Sequence, residues 1–210
     1  MTILFDLDGT LIDSTEAILE SFDVSLSMFG EVLPDEASIK AKIGYPLDVM
    51  FRTLGVSKER VWDHVAAYKR HYQKISCEKT VLLPNALEAV ALAKEHATLG
   101  IVTTKTAEYS RQMLEHMGIM HYFDVLIGRE DVTHPKPHPE PVLKAISKLK
   151  ADRNRCWLIG DTPMDICAAK AADIQSVAVT CGYADEKKLL KYTSSLASNA
   201  LEAVKFIVIS

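Results

Sequence analysis

Short runs of three or four apolar residues recur along the 210-residue chain, and most are followed by a stretch with helical spacing. The runs are Ile3-Leu4-Phe5, Leu99-Gly100-Ile101-Val102, Val125-Leu126-Ile127, Trp157-Leu158-Ile159 and Val177-Ala178-Val179. They are apolar at consecutive rather than alternate positions, as expected of parallel strands covered on both faces. Between them, Pro84 suits the first turn of a helix over 84–96, a helix over 107–117 stops at Gly118, Pro139 or Pro141 opens one running to Lys150, and Pro163 opens one reaching Ala172. Strands and helices alternating in this way predict an α/β fold, a Rossmann-like doubly wound parallel sheet.

One interval breaks the alternation. Over 14–80 no run reads as a strand, while Ile18, Phe22, Leu26 and Phe29 recur at helical spacing before Gly30. Val61, Val65, Tyr68 and Tyr72 do the same, and Leu47, Met50, Phe51 and Leu54 make a shorter helix before Gly55. The pattern predicts an all-helical domain over 14–80, inserted into a core made of 1–13 and 81–210, with linkers near 13–14 and 80–84.

Composition narrows the partners. Hydrophobic residues are 48% and charged residues 25%, an ordinary globular balance, and the net charge is -4. No basic patch stands out, which argues against nucleic acid or an anionic membrane as partner. The apolar tail Phe206-Ile207-Val208-Ile209 is too short to cross a bilayer. Met1 leads straight into the first predicted strand without the segments of a secretory leader, and Cys77, Cys156, Cys167 and Cys181 form no CxxC pair. A cytoplasmic protein with reduced thiols is expected. Trp62 and Trp157 fall in a predicted helix and strand, where packing is the default reading.

Four segments carry chemistry. In Phe5-Asp6-Leu7-Asp8-Gly9-Thr10, a turn accounts for Asp8 and Gly9 but not for Asp6, which extends an apolar run. Gly160-Asp161-Thr162-Pro163-Met164-Asp165 follows the fourth run and opens a helix; capping by Asp161 is the plainer alternative there. Thr103-Thr104-Lys105 follows the second run, so that a hydroxyl could donate to an anion. Lys136 stands between prolines, which limits the conformers of its loop. His134 and His138 flank it, yet a proline-rich loop need not present them together, and no metal site is expected there. The four segments sit at strand ends or helix starts, where open α/β sheets bind ligands. Carboxylates gathered there would repel one another unless a hard cation with oxygen ligands, such as magnesium, joined them.

The DLDGTLIDS opening, Thr103, Lys136 and Asp161 through Asp165 resemble, in order, the four motifs of the haloacid dehalogenase superfamily. The Lys42-Ile43-Gly44-Tyr45-Pro46-Leu47 segment and Lys136-Pro137-His138-Pro139-Glu140-Pro141 are most similar to its phosphoglycolate phosphatases and related pyrophosphatases. The resemblance implies a magnesium-dependent phosphatase in which Asp6 attacks phosphorus and Asp8 serves as acid and then base. It further implies that Asp6, the Asp8 carbonyl and Asp161 hold the metal, with Asp165 beside them, and that Thr103 and Lys136 bind the phosphoryl group. The insertion would be a helical cap whose Lys42, Gly44 and Tyr45 meet the substrate, with Arg52 and Arg70 as further candidates. At Thr104 the backbone amide is expected to matter more than the side chain. The implied partner is a small phosphorylated metabolite, acted on by a monomer or homodimer. Pyrophosphate, nucleoside monophosphates, mutase chemistry and a non-catalytic binding module are the alternatives. Asp8 speaks against dehalogenation, and Gly160 where mutases carry Glu speaks against the mutase.

Overall fold

The structure, a computed structural model, describes residues 1–209. Six parallel strands form its main sheet: β1 (Thr2–Phe5), β4 (Thr98–Val102), β5 (Val125–Ile127), β6 (Cys156–Gly160), β7 (Gln175–Val179) and β8 (Leu196–Ala197). β2 (Ile12–Asp13) and β3 (Val81–Leu82) pair antiparallel as a separate ribbon. The order in the main sheet is β5-β4-β1-β6-β7-β8. The chain therefore runs outward from the central β1 through β4 and β5, then returns to build β6, β7 and β8 on the other side. That reversal leaves a crevice at the carboxyl ends of β1, β4 and β6.

Alternate side chains along each strand serve opposite faces. Ile3, Phe5, Leu99, Ile101 and Ile159 pack with α5 (Ala86–His96) and α10 (Ala200–Ile209). Leu4, Val102 and Leu158 pack on the other face with α7 (Glu140–Leu149) and α8 (Pro163–Ala171). α6 (Ala107–His116) and a short α9 (Glu186–Leu189) complete this half. Between β2 and β3 lie α1 (Thr15–Met28), α2 (Glu36–Lys40), α3 (Leu47–Thr53) and α4 (Val61–Ile75). Phe22, Phe51 and Tyr68 hold these helices together, with ring centroids 4.6 Å apart for Phe22–Phe51 and 5.1 Å for Phe22–Tyr68.

Several expectations change in detail. The linker positions pair as the β2–β3 ribbon rather than running as free connections. Pro84 stands outside α5, whose N-cap is Asn85 in the left-handed region at φ 64°. β8, α2 and α10 were not anticipated: two residues make a strand only through their neighbour β7, and the apolar tail is a helix because α5 and the sheet cover Val204 and Ile207. Trp62 does not pack, being 63% exposed, whereas Trp157 meets Phe206 edge-on at 6.1 Å.

Candidate active site

Register brings the acidic residues together. Phe5 lies beside Ile101 on one side and Ile159 on the other, so one residue further on Asp6 sits among the ends of three strands. Its N–H donates to the Ile159 carbonyl at 2.8 Å, which continues the sheet by one residue and fixes the side chain. Gly9 then turns the chain at φ 76°, and a Cβ there would come within 2.3 Å of an Asp161 carboxylate oxygen. On the neighbouring strand, Thr162 rather than Asp161 is the N-cap of α8. Asp165 reaches back to that cap, accepting from the Thr162 N–H at 3.0 Å and its hydroxyl at 2.6 Å. Asp161 is thereby left to face Asp6.

Asp6, Asp161 and Asp165 each offer a carboxylate oxygen within 4.8 Å of the others. Lys136 lies among them and is 2% exposed, against 4%, 0% and 1% for the three aspartates. Its ammonium meets Asp6 Oδ1 at 2.8 Å and Asp165 Oδ1 at 2.6 Å, and donates to the Val102 carbonyl at 2.9 Å. All three of its protons thus have a partner. Burial works against that charge, but Asp165 and Asp6 outweigh it and hold the ammonium above the ordinary lysine range. For the acids, burial and then the Asp165 charge push Asp6 up to about 7. Burial and then Asp6 push Asp161 well above the usual carboxylate range. Burial is the larger cause of both shifts, and the crowding of three acids around one ammonium adds to it. The donor set is all oxygen, and three acids stand against one ammonium, so these residues fit magnesium.

Asp8 turns away from this cluster. One carboxylate oxygen accepts from the Ser14 hydroxyl and the other lies 3.1 Å from the Lys105 ammonium. Lys105 also donates to the Tyr72 hydroxyl at 2.7 Å. Thr103 is buried, with its hydroxyl oxygen accepting from the Lys105 N–H at 3.1 Å. The Thr104 side chain donates to the Gly44 carbonyl at 2.9 Å, tying the end of β4 to the Lys42–Pro46 loop. Gly44 and Tyr45 line a cavity that reaches Asp8, whereas Lys42 is half-buried and outside that wall. Arg52 is exposed and engages Asp48 at 2.9 Å on its own helix, and Arg70 is exposed.

Sequence reasoning missed Ser14, Lys105 and Tyr183. Tyr183 donates its N–H to Asp161 Oδ2 at 2.7 Å and its hydroxyl lies 3.1 Å from that of Thr15. Lys105 could have been found, standing two residues after Thr103 at a strand end; Tyr183 has no motif to mark it. The His134 and His138 rings do come together, 4.7 Å between centroids. Glu140 accepts from the Thr133 and His134 N–H groups at 2.8 and 2.9 Å, which fastens the loop that carries Lys136. Those bonds hold its carboxyl down at about 2.

The sequence pattern of the haloacid dehalogenase-like hydrolases matches residues 3–179. A protein of Dickeya dadantii named as a probable phosphatase, IndB, is 36% identical over 190 residues, spanning 86% of this chain and 81% of that one. A phosphoglycolate phosphatase of Salmonella typhimurium is 33% identical over 205 residues, with the same 86% and 81% covered. Among solved structures, a haloacid dehalogenase-like family hydrolase from Streptococcus pneumoniae superposes with a TM-score of 0.88 at 29% identity, covering 98% of this chain and 97% of that one. The chain belongs to the haloacid dehalogenase-like hydrolase family, among its phosphatases.

Proposed function

We propose that the protein hydrolyses small phosphorylated metabolites through an aspartyl phosphate on Asp6, with magnesium as cofactor. The observation that carries this reading is the buried trio of Asp6, Asp161 and Asp165, whose oxygens lie within 4.8 Å of one another around Lys136. Burying that much like charge is costly unless a cation and an anionic ligand share the site. Asp6 and Asp161 would hold the metal together with the Asp8 carbonyl. Asp165, already engaged by Lys136 and Thr162, would support it from behind. When bound, magnesium supplies the positive charge that lets a phosphoryl group approach an anionic nucleophile.

The protein's own groups account for the rest. An Asp6 oxygen attacks phosphorus, and the bond from phosphorus to the leaving oxygen breaks. Asp8 gives that oxygen a proton, then takes one from the water that attacks the aspartyl phosphate, returning Asp6 and releasing phosphate. Ser14 and Lys105 hold the Asp8 carboxylate on both sides, which fixes where that proton is given and taken. Lys136 and the Thr103 hydroxyl would meet the transferring oxygens. The helices over 15–75 would act as a cap: Thr104 to Gly44 and Tyr183 to Thr15 are the bonds that close them over the site.

Phosphate release from a panel of phosphomonoesters, with and without magnesium, tests this. Turnover that needs both the metal and Asp6 is expected. Turnover that survives EDTA, or the Asp6→Asn change, would remove the mechanism.

A further inference from the structure

The wall of the cavity beside Asp8 has a chemistry of its own. The cavity measures about 310 Å³ and lies between the end of the main sheet and the inserted helices. Asp8, Thr104 and Lys105 bound it on the sheet side. Asp8 is the group assigned to protonate the leaving oxygen, so this is the space in which the alcohol part of a substrate would lie. On the helix side the wall includes Met50, Val65, Tyr68 and Tyr72. The Tyr68 and Tyr72 rings are parallel, with centroids 5.5 Å apart and planes 9° from one another. Two more rings on the wall are open to solvent: Trp62 is 63% exposed and Tyr45 39%.

We infer that this cavity selects phosphomonoesters whose alcohol carries a flat aromatic ring, of about nucleoside size, over those of small acids; the inference rests on the phosphatase reading above. Size is the first reason. A space of 310 Å³ has room for on the order of ten waters, and a two-carbon acid would leave most of them against apolar walls. A ring-bearing alcohol would displace them and cover the apolar side chains. Charge is the second. A carboxylate on the leaving group would be drawn by a wall of net positive charge. Lys105 is taken by Asp8 and Tyr72, and Lys136 by Asp6 and Asp165. Over the whole wall, Lys69, Lys105 and Arg129 stand against Asp8, Asp48 and Glu130, so it carries no net positive charge. Shape is the third. Exposed indole and phenol rings at a cavity are surfaces on which another ring can stack.

Two ligand sources share this chemistry, nucleoside monophosphates and phosphorylated hydroxymethylpyridines. The test measures kcat/KM with magnesium for uridine 5′-monophosphate, pyridoxal 5′-phosphate, phosphoglycolate and glycerol phosphate. At least one ring-bearing ester should exceed phosphoglycolate by roughly tenfold or more, the scale of one stacking contact, and the better of the two names the source. Trp62→Ala, at an exposed position, should narrow that ratio by roughly the same factor. Phosphoglycolate or glycerol phosphate turned over as well as the ring-bearing esters, or a ratio unmoved by Trp62→Ala, would overturn the inference and leave the phosphatase reading standing. Release from none of the four would remove both.

Discussion

The strand ends of the sheet and the inserted helices that face them are built on opposite principles. At the strand ends, Asp6, Lys136, Asp161 and Asp165 are buried almost completely and are held by one another and by backbone groups. On the helix side the groups are mainly apolar or aromatic, with Asp48 and Lys69 among them, and Trp62 and Tyr45 stay open to solvent. The sheet side tolerates little change because each charge there depends on the others. The helix side can exchange one apolar residue for another of similar volume at small cost. A molecule divided in this way can keep one chemistry and change its substrate.

Substitutions on the two sides should therefore differ in kind. Asp6→Asn should lower kcat on the order of 10⁴-fold or more, as removal of a nucleophile does, with the circular dichroism of the fold retained. Lys136→Met should cost about 3–5 kcal/mol in urea unfolding, because the buried carboxylates lose their counter-ion. On the helix side, Arg52→Met should cost less than about 0.5 kcal/mol, since the Arg52–Asp48 pair is exposed on one helix. Equal costs at positions 136 and 52 would break the comparison.

Smaller effects belong to the contacts that join the two sides. Gly44 has φ 100°, and a Cβ would stand 3.1 Å from the Thr162 methyl group. Gly44→Ala should cost about 1–3 kcal/mol, seen in thermal unfolding and as a raised KM. Thr104→Val removes the bond to the Gly44 carbonyl and should cost about 1 kcal/mol, a rise in KM of roughly fivefold with kcat nearly unchanged.

The smallest effect expected is a pH dependence on the helix side. His64 is fully buried between the Phe29 and Phe51 rings. The Ser25 hydroxyl donates to the His64 carbonyl, so His64 Nδ1 is the donor in its 3.2 Å contact with Ser25. Its Nε2 has no partner among the described residues. Burial first, then Arg60, holds its pKa below the usual histidine value of 6.5, with Glu31 and Asp63 opposing. The unfolded chain takes up the proton first as pH falls, so this contribution to stability is complete above about pH 6.5 and declines below it. The midpoint of thermal unfolding should fall between pH 7.5 and about 5.5, and His64→Gln should flatten that slope.

The same division explains what could be read in the sequence. Asp6 and Asp161 each directly follow an apolar strand run, and the parallel sheet leaves few ways to arrange those runs, so both could be named as candidates before they were seen to meet. Helix limits set by Gly30, Gly55 and Gly118 were legible for a similar local reason: all three take positive φ. Lys42 and Trp62 were not legible. Which face of an inserted helix looks into a cavity depends on how four helices pack, and spacing alone does not settle that. Lys42 reads as a substrate contact and is half-buried off the cavity wall; Trp62 reads as packing and lies on that wall. Tyr183 and β8 depend on partners far away in the chain, which no local pattern marks.

The most direct test of the central claim is to trap the covalent step. Enzyme mixed with magnesium and a substrate that it turns over is quenched in acid within the first turnover and reduced with borohydride, which converts an acyl phosphate to an alcohol. Peptide mass spectrometry should then find that reduction at residue 6 alone, and only when substrate is present. Phosphate released in the same samples with residue 6 unmodified, or with the mark on another carboxylate, would contradict the account.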